Sequence, residues 1–174
     1  DRNVLRFADD EGSFRPQFGF DRVVTNPPFV PVDRVTPEQR TSYKHALATM
    51  QKRFDLFIGF VERAWSVLAS GGVATLLVPR TFLTEANAEK CRRLLLERAW
   101  VRRIEELGPV AFDGAKVECI ALEFERRLPT DGAGTELVRK GARGTTSTTV
   151  PQAAFRKAAR AMMRFELADP AAED

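Results

Sequence analysis

The stretch FDRVVTNPPF, residues 20–29, decides the fold of this 174-residue chain. Its first half, residues 20–25, is a short β-branched run and reads as a strand. Pro27 and Pro28 then remove two consecutive backbone N–H groups, so no ladder can continue through them. The strand must stop at Asn26 and the chain must turn. Downstream, Thr36 has N-cap chemistry and Pro37 suits the first helical position, which predicts a helix over 38–51. Residues 55–69 put Leu56, Phe60, Ala64 and Val67 or Leu68 on one helical stripe. Ser70-Gly71-Gly72 is expected to terminate that helix. Residues 73–78 are continuously apolar, as in a strand buried on both faces of a parallel sheet. Helix is expected again over 85–99, then strands over 101–107 and 116–124. The order β, α, β, α, β predicts an α/β fold with a largely parallel sheet. The last two strands, joined by Gly108-Pro109 and Asp113-Gly114, leave no room for a crossover helix and should pair antiparallel.

On the flanks, residues 3–7 alternate as a strand and residues 9–12 close it as a turn. Residues 128–149 shift to Gly, Thr and Ser, the composition of a linker or hairpin. Residues 151–165 resume helical spacing and carry Arg156, Lys157, Arg160 and Arg164, a basic face that is either solvated or set against phosphate.

Composition narrows the function. Apolar residues are 44% and charged residues 29% of the chain, the balance of a globular domain rather than a disordered one. No apolar run approaches the ~20 residues of a membrane helix, and no signal-peptide pattern opens the chain. Cys91 and Cys119 are too few and too far apart for a disulfide framework or a metal site, and they suit a reducing cytoplasm. With His45 as the one histidine, zinc and His-dyad chemistry are not expected. The net charge of +3 permits a polyanionic partner without requiring one.

The chemistry concentrates at Asn26-Pro27-Pro28-Phe29, at the carboxyl end of a strand, where open parallel sheets bind ligands. Asn26 brings an acceptor oxygen. The proline-stiffened turn fixes backbone carbonyls that have no neighbouring N–H to occupy them. Phe29 adds a π-face. Two acceptors and a ring fit a planar group bearing an NH₂. The lone pair of such an amine is delocalised into its ring. Two acceptors holding its hydrogens favour a pyramidal nitrogen and free that lone pair. Attack on a sulfonium methyl then needs alignment rather than a strong base.

At these residues the sequence resembles the amino-type DNA methyltransferases that modify adenine at N6, in the branch attached to restriction–modification and phage-defence systems. The resemblance covers about residues 4–124. Asn26–Phe29 looks like the catalytic motif of that family. Asp55-Leu56-Phe57 with Phe60, Leu68 and Gly71-Gly72 looks like its next helix. Val78-Pro79 with Thr81-Phe82-Leu83 looks like the following strand end. Leu107-Gly108, Phe112 and Val117 look like the last motif before target recognition.

The resemblance implies a methyl donor, S-adenosylmethionine, and double-stranded DNA with a flipped-out adenine as substrate. It implies that the Asn26 side chain and the Pro27 carbonyl accept the amine hydrogens within the rigid Pro27-Pro28 turn, and that Phe29 stacks on the base. Phe112 and Val117 would line the base pocket. Asp9 would hydrogen-bond the cofactor's adenine, and Leu56 and Phe57 would wall the cofactor. The implied sheet order is 4-5-7-6, with the last pair antiparallel.

The chain departs from the family in lacking the glycine-rich cofactor loop and the acidic residue that holds the ribose. It therefore reads as the catalytic half of a longer enzyme, inactive alone and without an intact cofactor pocket. Residues 1–127 would be the later part of the catalytic domain. Residues 128–174 would be a linker and the start of a target-recognition region. A specificity or nuclease domain or subunit is an expected partner; no metal and no membrane are expected. Two other readings use the same residues. Protein-glutamine methyltransferases also grip a planar amide with Asn-Pro-Pro and an aromatic. A non-catalytic half-module would bind DNA or a partner subunit.

Overall fold

The computed structural model describes residues 19–50, 53–112, 115–130, 132–141 and 144–164. The strand and turn expected over 3–12, and Asp9 with them, lie outside these residues. Strand β1 is Phe20–Thr25, as expected. Helix α1, Pro37–Ala46, opens on a reciprocal capping box between Thr36 and Gln39. It ends before residue 51 because the Glu62 carboxylate takes the amides of Ala48 and Thr49, at 3.0 and 2.9 Å, out of the helical pattern. Helix α2, Leu56–Val67, leads directly into strand β2, Leu68–Pro79.

Gly71 and Gly72 do not cap α2, contrary to expectation. They lie within β2, where the register against β1 jumps from Phe20–Leu68 to Arg22–Val73. Gly71 sits at φ +78°, and a Cβ on Gly72 would fall 2.5 Å from the Phe20 carbonyl oxygen. Close backbone approach, not helix termination, is what needs glycine here. The end of α2 is served instead by Arg126, whose guanidinium donates to the carbonyls of Ser66 and Leu68.

A 3₁₀ turn, Arg80–Leu83, follows β2, and another, Ala86–Ala88, precedes helix α3, Glu89–Arg98. Strands β3, Trp100–Phe112, and β4, Ala115–Glu125, run antiparallel, as expected. Gly108-Pro109 is not a connection between them: β3 runs through it. A bulge between Glu106 and Gly108 absorbs the glycine at φ +75°. Strand β5, Gly134–Gly141, meets β3 only over residues 103–105, so Pro109 removes no ladder bond on that side.

Residues 128–164 stay with the sheet. Strands β5 and β6, Gly144–Pro151, form an antiparallel hairpin, and β5 adds parallel to β3. The expected boundary at residue 127 therefore does not end the sheet, and the hairpin reading of 128–149 holds over the linker one. Helix α4, Gln152–Lys157, is shorter than expected and is tied to the end of α3. Gln152 donates to the carbonyls of Leu96 and Ala99 and accepts from the Val101 amide, and Arg156 donates to Leu96.

The strand order is β1-β2-β4-β3-β5-β6. Its first four members follow the order 4-5-7-6 that the resemblance implied. The sheet is mixed rather than largely parallel: β1–β2 and β3–β5 are parallel and the other three pairings antiparallel. The core lies on one face. Ala74, Leu76, Val78, Ile120, Leu122, Phe124 and Ile104 pack there against Phe57, Val61 and Leu95 from the helices. Val23 of β1 joins that core, whereas the next residue, Val24, is 82% exposed on the other face.

Gly72→Ala is expected to destabilise the fold by about 1–3 kcal/mol, because backbone rather than a movable side chain occupies the Cβ position. Urea unfolding measures it, and an unchanged midpoint would show that the bulge can relax.

Candidate active site

Strand β1 stops just ahead of Asn26 and Pro27, and β2 stops at Pro79. Thr25 is the last paired residue of β1, opposite Leu76, and β2 ends on Pro79. Beyond them the chain opens at the carboxyl end of the sheet. Asn26 is exposed there, Pro27 is buried, and Pro28 and Phe29 are half-buried. Neither the Asn26 side chain nor the Pro27 carbonyl has a hydrogen-bond partner among the described residues.

The loop carrying them is nevertheless fixed. The Leu56 amide donates to the Val30 carbonyl at 2.8 Å and the Val32 amide to the Phe54 carbonyl at 3.0 Å. Pro31 and Asp55 form an antiparallel bridge between these bonds. Three rings continue the support. Phe29 meets Phe57 edge to face, with centroids 6.1 Å apart. Phe57 meets Phe82 in the same way at 6.3 Å. Phe82 lies in the turn after β2, so this relay joins the loops that follow the two parallel strands.

Asp55 occupies the N-cap position of α2 with extended backbone but makes no cap hydrogen bond. Its carboxylate accepts instead from the Asn87 amide at 3.1 Å, tying the start of α2 to the turn before α3. Burial raises the Asp55 carboxyl above the ordinary carboxylate range, while the Asn87 bond and the Arg53 charge pull it back and Asp33 pushes it further up.

Of the residues chosen from sequence, Asn26, Pro27, Pro28 and Phe29 come together with Leu56 and Phe57. The last two are closed into the core, at 3% and 2% exposure, so they back the loop and offer no open wall. Phe112 and Val117 lie on a separate arm. Pro79 pairs with Cys119 and Cys119 with Gly108, so β3 and β4 project past the end of β2 as pairs Pro109–Glu118 to Phe112–Ala115. This arm rises from the same end of the sheet as Asn26, on the far side of β2. A cleft lined by Arg80, Glu106, Gly108, Glu118 and Lys140 lies at its root.

Sequence reasoning missed the support roles of Phe82 and Asn87. Phe82 is legible in sequence as part of a strand-end motif but not as a support for Phe29, and nothing near Asn87 signals its partner. Both cysteines are buried, and desolvation raises the Cys91 and Cys119 thiols, which keeps them inert. Among the described residues no cluster of His, Cys, Asp or Glu is placed to hold a metal. No described helix is long and apolar enough to cross a membrane.

Over 74% of its length the chain superposes on the type IIL restriction–modification enzyme MmeI, solved with DNA, at TM-score 0.57 and 15% identity, covering 18% of that chain. It superposes over 79% on the type I methyltransferase subunit of Streptococcus thermophilus, at TM-score 0.52 and 18% identity, covering 31% of that chain. Residues 4–111 match the Eco57I restriction-modification methylase family, and the chain belongs to that family. It is 29% identical over 120 residues to the type II methyltransferase M.TthHB8I of Thermus thermophilus. It is 27% identical over 94 residues to the restriction enzyme and methyltransferase RM.Eco57I of Escherichia coli. The matches span 28% and 9% of these relatives.

The raised Asp55 carboxyl sets a pH dependence. The folded state binds this proton more tightly than the unfolded chain does. The group therefore supports folding most fully below the ordinary aspartate range, and that support declines as pH rises through its folded value. Asp55→Asn keeps an acceptor for Asn87 and is expected to flatten this part of the profile. Urea unfolding at pH 4 and pH 7 compares the two proteins, and equal slopes would place the effect on another group.

Proposed function

We propose that this chain carries the target-amine half of a DNA methyltransferase that moves the methyl of S-adenosylmethionine to the exocyclic N6 of adenine. One observation supports this most: two acceptors with no partner among the described residues, the Asn26 side chain and the Pro27 carbonyl, stand on a rigid loop at the carboxyl end of β1. Membership of a restriction-modification methylase family supports DNA as the substrate.

In this reading Asn26 and Pro27 each accept one hydrogen of the target amine. The nitrogen is drawn toward a pyramidal shape, and its lone pair is released from the ring. The half-buried Phe29 face, propped by Phe57, receives the extruded base and faces the positive charge that develops on nitrogen. Pro27 and Pro28 keep the loop from rearranging during the step, so the acceptors are preorganised. The donor supplies an electrophilic methyl: an N–C bond forms as a C–S bond breaks, and the amine proton is lost to solvent. Leu56 and Phe57 do not fit as a direct wall for the donor, because both are closed into the core; they act as the floor of the loop. Phe112 and Val117, on the projecting arm, are proposed to approach the base from the other side. The residues past the sheet, or another domain or subunit, would supply target recognition; a specificity or nuclease domain or subunit would be a partner, as in the relative RM.Eco57I, named as both restriction enzyme and methyltransferase.

In the full-length protein, Asn26→Ala is expected to lower methyl transfer to duplex DNA by about a hundredfold or more while donor binding survives, because its bonds act mainly in the transition state. Near-normal turnover would remove the catalytic assignment. Transfer to a release-factor amide in place of DNA would shift the reading to a protein-glutamine methyltransferase.

Phe29→Ala is expected to weaken capture of the flipped base by about 1–3 kcal/mol, with Phe29→Tyr tolerated. A fluorescent base analogue at the target position reports extrusion, and equal emission from the alanine variant would exclude stacking.

A further inference from the structure

Arg92 is fully buried, yet no carboxylate forms an ion pair with it among the described residues. Four backbone carbonyls hold its guanidinium. Nη1 donates to Phe82 and to Glu85, both at 2.8 Å. Nε donates to Ala161 at 3.1 Å and Nη2 to Arg160 at 3.0 Å. Burial lowers this guanidinium to about 10, still charged at neutral pH. A buried charge satisfied only by neutral dipoles is costly to keep, so what it holds in place matters.

It holds two segments. One is the turn Arg80–Leu83 with Glu85 beyond it, which carries Phe82. The other is the turn Ala159–Ala161, where Arg160 and Ala161 have φ of +53° and +49°. Two successive non-glycine residues in the left-handed region are strained. That strain aims the carbonyls of both residues at Arg92. The Met163 amide then donates to the Leu83 carbonyl at 3.0 Å, closing the strap onto the turn from its other side. Phe82, held in this way, sits edge-on to Phe57, and Phe57 sits edge-on to Phe29.

We propose that Arg92 is a positioning residue for the target-base site: it clamps the 159–163 strap onto the Phe82 turn and so sets the height and tilt of the Phe29 face through Phe57. The inference rests on the reading of Asn26–Phe29 as the target-amine site. It makes the strap part of the floor of that site, although no strap residue touches the reacting atoms.

The test uses the full-length protein with duplex DNA carrying 2-aminopurine at the target position. Arg92→Lys keeps the charge but cannot span four carbonyls. Its turnover is expected to fall about tenfold or more, the loss that a small misplacement near reacting groups produces. The emission of the flipped analogue should fall in parallel, while the donor KM stays within about twofold. Phe82→Leu keeps the carbonyl and the clamp but breaks the ring relay. It should reproduce the loss of turnover and emission, and it decides the question if Arg92→Lys does not fold. A folded Arg92→Lys protein that melts earlier but keeps wild-type turnover and emission would overturn the positioning role, as would a Phe82→Leu protein with wild-type emission. Asn26→Ala runs alongside: if it keeps its turnover, the site reading itself fails, whereas its loss beside an unaffected Arg92→Lys rejects the inference alone.

Discussion

A proline carries no N–H, and prolines stand at or just beyond the end of both parallel strands that lead to the candidate site. β1 pairs last at Thr25, opposite Leu76 and ahead of Pro27 and Pro28, and β2 continues to Pro79. Everything at that end follows from these stops. The loop after β1 cannot pair with β2 and pairs instead with the start of α2, through Val30, Pro31 and Val32. The turn after β2 folds down and brings Phe82 beneath Phe57. β3 and β4, which have no such stop, continue past both strands as a projecting arm. The missing donors thus separate a fixed floor from an arm beside it.

The two faces of the sheet are built differently. On the helix side, alternate residues of β2, β4, β3 and β5 form one apolar layer. On the other side, Arg102 pairs with Glu123 and Glu125, Arg103 with Glu105 and Glu136, and Lys140 with Glu105. Partly exposed pairs of this kind contribute little stability each. They do give β3 and β5 a second face that tolerates water. Over β1 and β2 the same face carries the exposed Val24 and Thr75, whose hydroxyl donates to Glu123.

This contrast also marks what the sequence made legible. The bounds of β1 were readable because a β-branched run meets two prolines, and the start of α1 because Thr36 and Pro37 have one shared use. The β2 strand was readable as apolar but not as bulged: Gly71-Gly72 after a helix is an ordinary stop signal, and only the tertiary approach of Phe20 shows its other purpose. β5 and β6 were hard to see because the Thr-rich run 145–149 is exposed and lacks alternation. The candidate acceptors were legible because proline and asparagine chemistry is local. Their support was not. Asp55–Asn87, Phe57–Phe82 and the Arg92 clamp join residues about 10 to 70 positions apart, and no local pattern encodes such partners.

The placement of charge bears on the proposed chemistry. Two ionisable groups in the supports of the loop are engaged elsewhere: the Asp55 carboxylate accepts from Asn87, and the buried Arg92 donates to the Phe82 carbonyl. In the proposed reading a neutral amide and a proline carbonyl accept the amine hydrogens, and their dipoles favour the positive charge as it grows on nitrogen. In the proposed reading the ions belong to the scaffold and the neutral dipoles to the site. Geometry, held by the buried clamp and the ring relay, then carries the share of catalysis that a general base supplies elsewhere.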